Sequence, residues 1–181
     1  YQPRRARIAQ SVIDERAGYA DRAVDVVYGI AGGASVVVDT STFWGPSYGV
    51  YANGSGVSYN DTLVVRGSLM QPGDGISQIY IPVYANYVGR FVAVGNTLDS
   101  TIYGVYSFYS RSAAARDNVI RNVQYYPVYL YSAPPGVDSV SGNTIECQRT
   151  SSGQGVSLYY ASLVVTANTV RYCAVGMDLY A

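Results

Sequence analysis

The sequence predicts an all-β fold: a right-handed single-stranded parallel β-helix of about six rungs, with a short N-terminal helical segment capping the first coil. Three observations carry this. Of 181 residues, 20 are Tyr and 19 Gly, and Val is abundant, a composition that suits pleated, half-buried strands joined by tight turns. After about Ser35, short β-favouring runs are broken at regular intervals by Gly, Asn, Ser and Pro. Four of those runs align as an internal repeat.

In chain order, Arg4, Arg5 and Arg7 open a basic tail, and Ile8, Ala9, Val12 and Ile13 recur at helical spacing between Ala6 and Arg16, up to Gly18. This 1–19 segment is expected to be a helix and a docking element, set apart from a coil over 20–181. A second helix is expected from Asp21 as N-cap, carrying Val24, Val27, Tyr28 and Ile30 inward and stopping at Gly32-Gly33. No helical pattern follows it.

The repeat is clearest at Val94-Gly95-Asn96-Thr97-Leu98, Arg116-Asp117-Asn118-Val119-Ile120, Ser141-Gly142-Asn143-Thr144-Ile145 and Thr166-Ala167-Asn168-Thr169-Val170. The Asn residues are 22, 25 and 25 positions apart. Each segment is followed by a second short strand: Gly104-Val105-Tyr106-Ser107, Pro127-Val128-Tyr129-Leu130, Gly155-Val156-Ser157-Leu158 and Gly176-Met177-Asp178-Leu179. Fainter copies precede them at Thr42-Phe43-Trp44 with Gly49-Val50 and at Gly67-Ser68-Leu69 with Gly75-Ile76. One such unit cannot bury its apolar face alone, so successive units stack as coils and equivalent residues form columns about 4.8 Å apart. Leu98, Ile120, Ile145 and Val170 then form one inward column, and Val105, Val128, Val156 and Met177 another. Asn96, Asn118, Asn143 and Asn168 form a ladder at a turn. Three positions past each Asn stand Asp99, Arg121, Glu146 and Arg171, whose signs alternate as neighbouring outward residues should.

These repeats resemble the right-handed parallel β-helix superfamily, which includes pectate-lyase-like proteins, phage tailspikes, and carbohydrate-binding and sugar-hydrolase repeats. The resemblance spans about Asp21 to Ala181. It is most specific at G-N-T-(I/L) followed by G-V-x-L, and the stretch from Asp21 through Gly32-Gly33 to Phe43 is similar to a tailspike-like entry, in which a helix plugs the first coil. Asp39-Thr40-Ser41 stands where that pattern has Pro-x-Gly. The superfamily does not select one activity.

Composition narrows function further. Twelve Arg and twelve acidic residues cancel, with no Lys and no His, which excludes a polybasic nucleic-acid binder and removes the usual general base and the commonest metal ligand. No apolar run reaches the roughly 20 residues of a membrane helix, so membrane insertion is not expected; nor is a cofactor or a metal. The resemblance implies lyases with clustered acidic ligands and a basic residue, or hydrolases with paired carboxylates. Asp99, Asp117, Arg121 and Glu146 are the catalytic candidates on that basis, although Asp99 and Glu146 fall two rungs apart with Arg121 between them, and a solvated charge column explains them as well.

The outward aromatic stripe is the stronger candidate. Alternation places Tyr106, Phe108, Tyr129, Tyr131, Tyr159 and Tyr180 outside, where they suit subunit contact, glycan contact or stacking alone. Cys147 and Cys173 lie on consecutive rungs, where the spacing allows a disulfide, while two buried free thiols fit equally. Asn53-Gly54-Ser55 and Asn60-Asp61-Thr62 match the glycosylation sequon. The sequence ends within a repeat strand, leaving a coil end that another subunit or further chain would cover. The expected function is thus a non-catalytic structural or adhesive subunit of an extracellular or virion assembly, such as a tail fibre, spike or surface filament. Its partners would be further copies of itself, as a homo-oligomer or filament, and surface polysaccharide. The alternatives are a polysaccharide lyase or glycosidase and a monomeric glycan-binding module.

Overall fold

The computed structural model describes residues 4–15, 21–28, 33–55, 60–132, 137–149, 152–160 and 162–180. They form a coil of parallel strands whose cross-section has three faces. The first rung is β1 (Arg5–Ala9), β2 (Val12–Asp14) and β3 (Arg22–Val27). The second is β4 (Ser35–Asp39), β5 (Thr42–Trp44) and β6 (Tyr48–Asn53), and the third is β7 (Thr62–Arg66), β8 (Leu69–Gln71) and β9 (Ile81–Asn86). In the next two rungs the second and third faces are one bent strand each: β10 (Arg90–Val94) leads to β11 (Thr97–Ser110), and β12 (Ser112–Arg116) to β13 (Val119–Ser132). The sixth is β14 (Val137–Ser141), β15 (Thr144–Cys147) and β16 (Gln154–Tyr159); the seventh is β17 (Ser162–Thr166), β18 (Thr169–Arg171) and β19 (Val175–Tyr180).

Every pairing between rungs is parallel. The first face is a seven-stranded sheet, β1-β4-β7-β10-β12-β14-β17, and β11 and β13 join the other two faces into one twelve-stranded sheet. Seven strands across the first face enclose six repeat intervals, a solenoid of about six turns.

The register follows from which residues must leave water. On the second face Ile13, Phe43, Met70, Leu98, Ile120, Ile145 and Val170 stand one above another. On the third, Val24, Val50, Val83, Val105, Val128, Val156 and Met177 do the same. The columns are fully buried through the middle rungs, whereas Met177 in the last rung is 45% exposed.

Where the second face turns into the third, one column holds only Gly or Pro from the second rung on, at Gly49, Pro82, Gly104, Pro127, Gly155 and Gly176, with Ala23 in the first rung. A Cβ at Gly104 would overlap the carbonyl oxygen of Pro127 in the next rung. Backbones approach too closely at this corner for most side chains.

At the first corner a polar ladder runs through all seven rungs: Ser11, Ser41, Ser68, Asn96, Asn118, Asn143 and Asn168. In each case the backbone N–H donates to the side-chain oxygen of the next member, at 3.3, 3.2, 3.0, 3.0, 3.0 and 3.0 Å. The Asn amides also donate to one another and to the carbonyls of Val65, Ala93, Ala115 and Val140. This satisfies backbone groups that the turn takes out of the sheets. The residue before each member has positive φ, and it is Gly only at Gly67, Gly95 and Gly142.

The two expected helices are strands. Ile8 and Ile13 both point inward because a turn at Gln10-Ser11 falls between β1 and β2, while Val12, which a helical spacing would also turn inward, is 69% exposed. In β3, Val24 and Val26 face inward while Asp25 and Val27 face out, a period of two. Partner strands β4, β5 and β6 supply backbone ladders that outweigh the weak helical propensity of these Val- and Ile-containing segments. Helical caps are therefore absent among the described residues, and the first coil is an ordinary rung; Gly18, Ile30 and Gly32 lie outside the described residues.

Candidate functional site: a tyrosine-clad face

The outer surface of the third face is built by alternation. With the Val column inward, the next position of each strand faces out, which yields the column Asp25, Tyr51, Tyr84, Tyr106, Tyr129, Ser157 and Asp178. Tyr51 stacks on Tyr84 at 4.8 Å between centroids, Tyr84 on Tyr106 at 5.7 Å and Tyr106 on Tyr129 at 4.5 Å, with ring planes within 16° of parallel. Two positions later in each strand is Val27, Asn53, Asn86, Phe108, Tyr131, Tyr159 and Tyr180. Tyr131 stacks on Tyr159 at 6.2 Å and Tyr159 on Tyr180 at 5.3 Å. A third column stands beside the bend of the coil, where Tyr103 stacks on Tyr126 at 5.9 Å and meets Tyr80 edge-on at 5.4 Å. Neighbouring columns meet edge to face, as at Tyr103–Tyr106 and Tyr126–Tyr129.

The rings stand up from the sheet and cover one another's faces. What they present outward is edges and hydroxyls. Between the columns runs an open groove lined by Tyr48, Tyr51, Tyr80, Ile81, Tyr84, Tyr103, Tyr106 and Phe108. Partial burial raises the phenol of Tyr84 to about 12 and pushes that of Tyr106 up as well, so the hydroxyls keep their protons and serve as both donors and acceptors.

Among the described residues of these columns, charges stand at the two ends. Arg22 lies 3.8 Å over the Tyr51 ring and pairs with Asp25 at 2.9 Å. At the other end Tyr159 donates to Asp178 at 2.9 Å, and burial together with that carboxylate pushes the Tyr159 phenol up.

The six aromatics read from the sequence all lie on this face, but it is wider than that reading. Tyr48, Tyr51, Tyr80, Tyr84, Tyr103 and Tyr126 were not among them. The signal that finds most of the main column is the tripeptide (Gly/Pro)-Val-Tyr, present at Gly49-Val50-Tyr51, Pro82-Val83-Tyr84, Gly104-Val105-Tyr106 and Pro127-Val128-Tyr129.

The catalytic candidates occupy different places. Asp99, Arg121, Glu146 and Arg171 are consecutive members of an outward column on the second face. Arg121 thus separates the two carboxylates, and Asp99 Oδ1 accepts from Ser100 Oγ at 3.0 Å and Asn122 Nδ2 at 2.8 Å. Asp117 is at the first corner, packed against Gly142. The geometry brings no two of these carboxylates together for acid–base work.

Three acids are buried, Asp39, Asp61 and Asp138, and Asp61 accepts from Ala34 N at 3.0 Å. Asp39 accepts from Arg7 at 2.6 Å and Arg66 at 2.8 Å, hydrogen bonds that hold its carboxyl down at about 2. Asp138 is fully buried inside the first face; burial raises its pKa against the opposing hydrogen bonds from Ser132 Oγ, 2.6 Å, and Ala113 N, 2.9 Å. Cys147 and Cys173 are joined in a disulfide with Cα atoms 5.0 Å apart, tying the sixth rung to the seventh. Asn53 Oδ1, within the first sequon, accepts from Asn86 Nδ2 at 3.0 Å.

The family described as periplasmic copper-binding protein (NosD) matches residues 12–181, nearly the whole coil from β2 onward. The chain belongs to this NosD family. No curated protein and no solved structure matches it. Within the NosD match lie the Ser/Asn ladder from Ser41 to Asn168, the disulfide and the whole tyrosine face.

Proposed function

We propose that this NosD-family chain is a non-catalytic structural β-helix of the periplasm, and that its tyrosine face is the surface by which it contacts neighbouring subunits. The observation that carries the reading is the face itself. Across β6, β9, β11, β13 and β16 its outward columns contain Tyr, Phe, Asn, Ser and Gln and no charged residue. Tyr is favoured at protein interfaces because it offers large contact area and a polar tip with few rotatable bonds. Here the rings are already ordered by stacking, so less side-chain freedom is lost on association.

The location rests on the family and on the disulfide, which persists in oxidising compartments such as the periplasm. We therefore carry a cell-envelope location forward over a virion surface. The groove between the tyrosine columns favours one second reading, contact with a neutral surface polysaccharide through the phenol hydroxyls. Mutual stacking leaves few ring faces open to sugars, which places that reading behind subunit contact.

Light scattering on the purified chain is the test. The expected result is a defined oligomer that dissociates in the double variant Tyr84→Ser, Tyr106→Ser while circular dichroism stays that of a β-solenoid. A monomeric wild type across the micromolar range sinks the subunit reading. Retention of that monomer on a neutral polysaccharide column, lost in the same variant, would favour the second reading.

A further inference from the structure

We infer that this chain, folded with its disulfide closed, has no copper site, although the family to which it belongs is described as copper-binding. Every residue that bears on the question is described, since the residues outside the structural description include no Asp, Glu, Cys, His or Met.

Copper is held by soft thiolate and thioether ligands as Cu(I), and by imidazole or sets of nitrogen and oxygen donors as Cu(II). Imidazole is missing altogether, because the sequence has no His. Both sulfurs of the only cysteines are bonded to each other. Of two methionines, Met70 is fully buried in the inward apolar column between Phe43 and Leu98. Met177 is exposed, but with no His in the sequence and both cysteines in the disulfide it would be a lone thioether.

Oxygen donors do not replace them. Among the described residues no three of His, Cys, Asp and Glu converge. Asp39 is occupied by two guanidinium groups, Asp138 is enclosed by Ser132 and Ala113, and buried Asp61, which accepts from Ala34 N at 3.0 Å, belongs to no such cluster. Burial pushes the phenols of Tyr84, Tyr106 and Tyr129 up, which disfavours their giving up a proton to a metal.

The one place where two soft donors would come together is the disulfide itself, if it were reduced. That supplies an internal control. The inference does not rest on the contact-surface reading above, since a chain without copper can be an oligomer or a monomer.

The test is copper uptake by the purified, oxidised chain. It is incubated with Cu(II) and, separately, with Cu(I) held by a colorimetric chelator, then passed over chelating resin and analysed for metal per chain by mass spectrometry. We expect copper far below one per chain in both cases and no change in thermal midpoint. One copper per chain retained by the oxidised protein overturns the inference. In the second arm the disulfide is reduced: uptake of Cu(I) that vanishes in Cys147→Ser, Cys173→Ser supports it, by showing the thiols to be the only donors. Stoichiometric uptake that survives the double substitution overturns it.

Discussion

Asn118 sits at the middle of the corner ladder, and its replacement by Ala should be among the most damaging small changes in the chain. Its Oδ1 accepts from Asn96 N and Asn96 Nδ2, both at 3.0 Å, and its Nδ2 donates to Ala93 O at 3.0 Å and Asn143 Oδ1 at 2.9 Å. The side chain is fully buried, so water cannot replace it. Alanine strands one backbone N–H and one carbonyl, each costing about 1–3 kcal/mol when buried without a partner. The expected loss is about 3–5 kcal/mol, which lowers the thermal midpoint by about 10 °C in a chain of this size. Serine is the informative comparison. At Ser68 the hydroxyl accepts from Ser41 N at 3.2 Å and donates to Arg66 O at 3.1 Å, so the ladder already tolerates this shorter member. Asn118→Ser should therefore recover the Asn96 N–H bond and lose only about half as much. Urea denaturation followed by far-ultraviolet circular dichroism measures both variants. The reasoning is wrong if Asn118→Ala lies within about 1 kcal/mol of wild type, or if Ser is no better than Ala.

Other expectations concern acids, the bridge and the corner. Burial raises the pKa of Asp138, so the folded state holds its proton more tightly than the unfolded one and stability falls as pH rises through the window above 3.8. Asp138→Asn should flatten that part of the pH–stability curve and be neutral or stabilising at pH 7; an unchanged slope refutes it. Asp39 has the opposite sign: its carboxyl is held down at about 2, so the stability it provides is full above about pH 4 and drains away toward pH 2. Arg66→Gln should weaken that acid-side dependence in the same titration. The disulfide closes a sequence separation of 26 residues, and the double variant Cys147→Ser, Cys173→Ser should be about 2–4 kcal/mol less stable than the oxidised wild type, with hydrogen exchange rising first in β17, β18 and β19. Gly104→Ala pushes a Cβ into Pro127 O and should cost at least about 2 kcal/mol by the same denaturation assay, whereas Gly176→Ala, which meets nothing within 4 Å, should be nearly silent on steric grounds.

The coil was legible because its rungs repeat chemically demanding positions. An Asn that must bond up and down the stack, an inward Leu or Ile after it, and a Gly or Pro before an inward Val are each narrow choices, and they recur at Asn96, Asn118, Asn143 and Asn168. The first three rungs were harder to read because serine does the same work at Ser11, Ser41 and Ser68 with a smaller and commoner side chain. The N-terminal strands were misread as helices for a related reason. In β1 and β2 the turn breaks the alternation after a few residues, and in so short a stretch a helical and a strand period are both satisfied.

From the amino-acid order alone come the solenoid, its approximate repeat, the inward columns and the absence of imidazole and lysine, because each depends on which residues exist and how far apart they are along the chain. The tertiary structure decided three further matters. It closed Cys147 onto Cys173, which depends on where two side chains point from neighbouring rungs. It separated Asp99 from Glu146 across Arg121, in an outward column that offers no shared site. It also turned scattered tyrosines from 48 to 180 into one continuous face with the rings packed against one another, because stacking of coils brings into contact residues that are about two dozen positions apart in sequence.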